Sequence, residues 1–380
     1  MEIKNDLVKL IVILLSCIFS ILTVKIFFNH SQNFEEFGLG EGTSSHYAVD
    51  EKHQLIHVNR LSGIEDTALV NGWNERGRRN IFLCLGNSQT HGINKFHDGE
   101  KTYNGILYDR FKKDSLDILT ESLPNANLQE HYLLFDYWRH RLPVKYLLLP
   151  VFMDDLREND IREIFMPLLF SSKYQIKDGS EIAKRINTEI EKSNSEQFSQ
   201  KDLAALKQTV QEKSELFLNE KLENSFDIWK FRPEVRGELF MSLYKWRNSI
   251  FSISAQTKRK MIPSYYRDNI KALRAILNDA CKENIKVLVY IPPIRMDIEI
   301  PYDKIEYENF KKEIESIALE YKQKFCNVEN VVPGEFWGLK ESSNTSNKLE
   351  YDFMHFQFKG HLLLANALEP EIKKIIKNDF

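Results

Sequence analysis

Two short stretches near opposite ends of the folded part of the chain carry residue types suited to acyl transfer. The first is GNSQTHG, Gly86 to Gly92, in which Ser88 closely follows the apolar run NIFLCL. A serine at a strand end, entering a helix, exposes its hydroxyl above the sheet, and its own N–H joins the positive end of that helix. Both features favour an attacking hydroxyl and the oxyanion that the attack creates. The second stretch is Asp352-Phe353-Met354-His355, followed by Phe358-Lys359-Gly360 and the apolar Leu362 to Leu368. An aspartate three residues before a histidine can reach its Nδ1–H, fix the tautomer and stabilise the imidazolium, leaving Nε2 to take a serine proton. Singly, each stretch has a bland reading: a turn serine in one case, a helix-capping aspartate in the other. Together they predict Ser88 as nucleophile, His355 as general base and Asp352 as its orienting acid, with His355 on a loop just before the last helix.

These groups need a scaffold that brings the two stretches face to face. Asn80 to Leu85, Leu116 to Leu123, Val144 to Phe152 and Lys286 to Ile291 read as short buried strands, with a weaker fifth at Asn327 to Val332. Helical patterns lie between them, at Leu128 to Leu142, Tyr266 to Glu283 and Tyr307 to Phe325. Alternation of this kind predicts an α/β fold with a parallel sheet covered on both faces, and such sheets bind ligands at the carboxyl ends of their strands.

The two blocks together resemble the SGNH (GDSL-like) hydrolase family. Gly86-Asn87-Ser88 stands where that family has Gly-Asp-Ser, and Asp352 and His355 match its closing Asp-x-x-His. The resemblance spans roughly Arg79 to Phe380 apart from a central insertion. It implies a three-layer, flavodoxin-like fold and a serine esterase or acyltransferase that needs no metal or organic cofactor. The family's second block places a glycine N–H in the oxyanion hole. Here Leu123-Pro124-Asn125-Ala126-Asn127 offers Asn125, a residue type that tolerates unusual backbone angles. The third block is Gly-x-Asn-Asp, whose Asn side chain donates to the oxyanion. Here Met153-Asp154-Asp155-Leu156-Arg157 puts Asp154 at that position. An ionised carboxylate cannot donate a hydrogen bond. Either burial keeps Asp154 protonated, or another donor such as Arg157 replaces it, or Asp154 and Asp155 are paired with Arg157 or Arg162. Arg157 is also a candidate substrate contact, as is Arg295, after the strand ending YIPPIR, which either meets an anionic substrate or is a surface residue.

The formal net charge is -3 with no long basic stripe, which does not suit a nucleic-acid partner. Leu10 to Phe28 is nineteen residues with a single charge, Lys25. At about 1.5 Å per residue it is long enough for a hydrocarbon core of roughly 30 Å. It is read as a single-pass anchor, with a cleaved signal or a buried helix as alternatives. Lys4 and Lys9 precede it and Glu35 and Glu36 follow, which places the bulk of the chain outside the cytoplasm. The expected partition is an anchor over 1–29, a linker and extension over 30–78, and a catalytic domain over 79–380 with a helical insertion at about 160–260. Of the four cysteines, Cys281 and Cys326 are the pair that could bridge.

An anchor joined to such a domain resembles the envelope members of the family, which move D-alanyl groups onto teichoic acids or acetyl groups onto alginate. That resemblance implies an acylated glycan or glycopolymer substrate and a membrane protein as acyl donor. The rival from another class is a non-catalytic envelope scaffold that kept the fold.

Overall fold

The computed structural model describes residues 49–58, 64–77, 79–91, 99–114, 116–162, 174–192, 242–243, 245–251, 257–341, 345 and 349–377. The chain divides into two units. One, made of 42–202, 255–340 and 349–380, contains the sheet and every site residue discussed below. The other contributes, among the described residues, a helix over 245–250 on which Trp246 and Ile250 are exposed.

The large unit is built on a six-stranded sheet. Its strands are β1 (His57–Val58), β2 (Asn80–Gly86), β3 (Leu116–Ser122), β4 (Val144–Pro150), β5 (Lys286–Ile291) and β6 (Lys324–Asn327). They lie in the order β1-β3-β2-β4-β5-β6, and every neighbouring pair is parallel. Of the four central strands, β2, β4 and β5 are near-continuous apolar runs because both faces of a parallel sheet are covered, whereas β3 also buries Asp117, Thr120, Glu121 and Ser122. Ile81 to Leu85 and Leu147 to Leu149 are at most 1% exposed. Each such side chain contributes on the order of 1.5–3 kcal/mol by leaving water.

Without β1, the strand order is that of a flavodoxin-like sheet, in which the chain reverses direction between its first and third strands. Here the reversal falls between β2 and β4, so the end of β2 opens into the crevice where such folds place their ligands. Right-handed crossovers then put α3 (Tyr103–Phe111) on one face, and α4 (Leu128–Arg139) and α6 (Pro263–Lys282) on the other. The packing agrees: α4 lies against α6, and α3 against the last helix, α8 (Phe358–Lys377). Helix starts are capped as their sequences require. Asn127 accepts from the Gln129 and Glu130 N–H groups while Glu130 accepts from the Asn127 N–H, a capping box that fixes where α4 leaves β3. Asp303 caps α7 (Lys304–Glu320) by accepting from the Ile305 and Glu306 N–H groups.

Several expectations need correction. The region 30–78 is not all linker: His57–Val58 pairs with β3 and Ile64–Glu75 forms α1, so the folded unit begins before Arg79. The fifth expected strand lies earlier, at Lys324–Asn327; the Val328 N–H still reaches the Ile291 carbonyl, and a turn closed by the Val331 N–H on the Val328 carbonyl follows. Within the insertion, 181–192 is helix α5, and its Ile182, Ile186 and Ile190 are buried in the main core. Cys84, Cys281 and Cys326 are free thiols. Among the described residues no helix is long and apolar enough to cross a membrane; the Leu10 to Phe28 run lies outside them.

Candidate active site

Ser88 opens the short helix α2 (Ser88–His91) immediately beyond β2. His355 and Asp352 lie in β8 (Leu349–Phe356), which pairs with β7 (Trp337–Glu341) in a separate two-stranded sheet. The histidine is therefore on a strand, not the loop expected before the last helix. That strand still ends two residues before α8 begins, so the docking of α8 on the sheet carries the histidine to the carboxyl edge.

The three side chains meet there. His355 Nε2 is 2.9 Å from Ser88 Oγ, and its Nδ1 is 2.7 Å from Asp352 Oδ2. The aspartate's other oxygen accepts the N–H groups of Met354 and His355, at 2.8 and 3.1 Å. These backbone bonds clamp the carboxylate so that Oδ2 faces the ring. A carboxylate only accepts, so Nδ1 carries the proton and Nε2 presents its lone pair to the serine hydroxyl. Ser88 is 7% exposed and Asp352 4%, whereas His355 is partly open. The arrangement can deprotonate one alcohol and hold the resulting imidazolium against a carboxylate.

The turn before Ser88 is held by contacts that the sequence did not reveal. Asn87 Oδ1 accepts the Gln89 N–H at 3.1 Å, capping α2. Its Nδ2 donates to Asp155, 2.9 Å from Oδ2 and 3.2 Å from Oδ1. Asp155 is thus paired with an amide rather than with Arg157 or Arg162. Gly86 permits the tight turn. A Cβ there would meet the Thr90 side chain at 2.1–2.6 Å, and Thr90 is buried with its hydroxyl 2.9 Å from that of Tyr103. Gly86→Ala is expected to cost about 1–3 kcal/mol of stability, as overpacking does. Urea unfolding would check this, a loss under about 0.5 kcal/mol contradicting the close approach.

Burial raises the Asp155 carboxyl well above its usual value of 3.8, and the nearby Asp154 charge adds to that. The Asn87 hydrogen bond and Arg162 oppose the shift without cancelling it. A folded pKa above the unfolded one gives stability that is fully present at low pH. It is lost as pH rises from the usual carboxylate range through the raised value. Asp155→Asn keeps an oxygen acceptor for Asn87 and removes the titration. Its melting temperature relative to wild type is therefore expected to climb as pH rises from about 4 towards neutrality. Thermal scans of both proteins across that range test this; a difference independent of pH would contradict it.

The remaining expected site residues divide. Asn125 has φ of 56°, the left-handed conformation required of a glycine substitute. It sits in a turn closed by the Ala126 N–H bond to the Leu123 carbonyl, next to the point where the Leu123 N–H reaches the Gly86 carbonyl at 3.0 Å. Arg162 ties this turn down through the Pro124 carbonyl at 2.7 Å while pairing with Glu130. Asp154 is not arranged as a donor: its carboxylate accepts from Arg157 at 3.1 Å and from Arg259.

Neither expected substrate arginine is free. Arg157 spends its guanidinium on Asp154 and the Lys260 carbonyl. Arg295 is 6% exposed and grips Asp297 through Nε and Nη2, at 2.8 and 3.0 Å, and the Gly338 carbonyl through Nη1 at 3.2 Å. Its guanidinium lies 4.4 Å from the centre of the Tyr351 ring. Arg295 does not bind a substrate anion, because a buried cation is neutralised locally; it braces β7 and β8, the pair that carries Asp352 and His355.

Fold and side chains together define a doubly wound α/β protein with a serine–histidine–aspartate relay at its topological switch point. No protein-family model matches the chain, and no curated protein matches it. Among solved structures it is similar to a GDSL-like lipase from Bacteroides thetaiotaomicron, at 10% identity over 82% of this chain and 95% of that one, with a TM-score of 0.38. It is also similar to a putative acylhydrolase from Bacteroides fragilis, at 9% identity over 78% and 87%, with a TM-score of 0.35. A third is an acetylxylan esterase from Geobacillus stearothermophilus, at 10% identity over 77% and 94%, with a TM-score of 0.38. The functional reading rests on the relay itself and not on likeness of this degree.

Proposed function

We propose that this protein is a membrane-anchored, serine-dependent esterase or O-acyltransferase acting on an acylated glycan or glycopolymer of the cell envelope. The observation that carries the reading is the 2.9 Å separation between the Ser88 hydroxyl and a histidine whose other nitrogen is held by Asp352. That is the distance that proton abstraction demands. The anchor, the extracytoplasmic placement and the glycan substrate are supported by the Leu10 to Phe28 run, its flanking charges and the sequence resemblance described above.

In the proposed reaction, the Ser88 hydroxyl proton passes to His355 Nε2 as Oγ bonds to the ester carbonyl carbon. The carbonyl electron pair becomes an oxyanion, placed against the N–H groups of Ser88 and Asn125. Collapse breaks the bond to the leaving alkoxide, which takes the proton from His355 and departs as the alcohol. The acyl group now resides on Ser88. Water or a sugar hydroxyl gives its proton to His355 and attacks, and Ser88 leaves with that proton restored. A membrane protein that supplies the acyl group fits the transfer branch.

The engagement of Asp154 by two arginines favours a second reading, a scaffold without activity, because it removes one expected oxyanion donor. A fluorophosphonate probe separates the two. Wild type should be labelled and Ser88→Ala should not; a folded wild type that resists labelling supports the scaffold. Product analysis with and without a glycan acceptor then distinguishes transfer from hydrolysis.

A further inference from the structure

We propose that Gln89 is a positioning residue for this chemistry, locking the Ser88 turn to the strand that presents His355. The inference rests on the acyl-transfer reading above.

Gln89 is 3% exposed, and its side-chain Nε2 donates to the Met354 carbonyl at 2.8 Å and to the Pro293 carbonyl at 2.9 Å. Both amide hydrogens are used, so one side chain joins α2 to the end of β5 and to β8. The Met354 carbonyl belongs to the peptide unit that leads into His355. The N–H of that same unit, on His355, is held by Asp352 Oδ1 at 3.1 Å. Gln89 and Asp352 thus grip the two poles of one peptide plane. This fixes the direction in which the His355 side chain leaves the backbone.

The backbone of Gln89 is held as well, by Asn87 Oδ1, so the serine between them cannot shift without breaking that bond. The Pro293 side of the clamp is equally constrained. Beyond Pro292-Pro293, the Arg295 N–H bonds the Phe353 carbonyl at 3.3 Å, which zips the β5 exit onto β8. Nucleophile and base therefore approach each other through Gln89, while their own hydrogen bond sets only the last contact. A displacement on the order of 1 Å between reacting groups costs about 100-fold in rate, so the clamp has kinetic leverage out of proportion to its two neutral hydrogen bonds.

The test uses the full chain purified in detergent, with an activated ester and a fluorophosphonate as probes. Gln89→Leu removes both donors at similar volume. It should lower kcat, and the limiting rate of phosphonylation, by about 10- to 100-fold with KM within about twofold. In a His355→Ala background the same substitution should change the residual rate less than twofold, because the group that Gln89 positions is gone. A merely structural role would lower the residual rate too. Gln89→Met, which keeps the length and has no donor, serves if the leucine variant does not fold. Wild-type kcat in either folded variant, or an equal loss in the His355→Ala background, overturns the proposal while leaving the acyl-transfer reading intact. A wild type that does not react with the phosphonate overturns both.

Discussion

Turnover of an activated ester should fall by roughly a million-fold in Ser88→Ala, by about as much in His355→Ala, and hardly further in the double variant. The serine supplies the electron pair and the histidine takes its proton across 2.9 Å. Neither act is useful without the other, so the two losses describe one event and do not multiply. Background catalysis from the oxyanion donors and from substrate binding should persist in all three, roughly 1,000- to 10,000-fold above water. The substitutions are small, and Ser88 is buried at the edge of the core rather than within it, so unfolding midpoints should stay close to wild type. Steady-state kinetics on the three proteins provide the check. A His355→Ala protein within tenfold of wild type would remove the histidine from the mechanism.

Asp352→Asn should cost about 10,000-fold in kcat while leaving the protein folded. The two carboxylate oxygens have different tasks. Oδ1 accepts the Met354 and His355 N–H groups, and an asparagine oxygen can do the same. Oδ2 faces His355 Nδ1 at 2.7 Å, and in the variant an amide N–H₂ takes that place. Two donors cannot face each other, so the ring proton moves to Nε2, the nitrogen that must accept from serine. The site keeps its shape and loses its base. Asp352→Ala should lose comparable activity and also about 1–3 kcal/mol of stability, because two largely buried N–H groups lose their acceptor. Imidazole nitrogen chemical shifts report the tautomer directly. Unchanged kcat in Asp352→Asn, or an Nδ1–H tautomer in a slow variant, would contradict the argument.

Much of the scaffold was legible in the chain because parallel strands buried on both faces are short, largely apolar runs, LDILTES being apolar only in its first half. NIFLCL, LDILTES, VKYLLLP and KVLVYI each became a central strand within a residue or two of the expected bounds. The edges were not legible for the same reason. Lys324–Asn327 pairs on one side only and is half-buried, so its pattern is broken. His57–Val58 is too short to show a period at all.

In the site, the candidates for nucleophile, base and orienting acid were legible from local spacing along the chain. Local order dictates that a serine beyond a buried strand enters a helix, and that an aspartate three residues before a histidine lies within reach of its ring. Partners for the remaining polar groups came from the packing of segments far apart in the chain. Asp154 and Asp155 are adjacent and chemically identical, yet the short turn at Asp155–Arg157 sends one to Arg157 and Arg259 and the other to Asn87. Arg295 likewise finds its partners, Asp297 and the Gly338 carbonyl, only in the folded chain. Local spacing carries no record of such choices, because a buried donor bonds whichever acceptor the packing of distant segments leaves beside it.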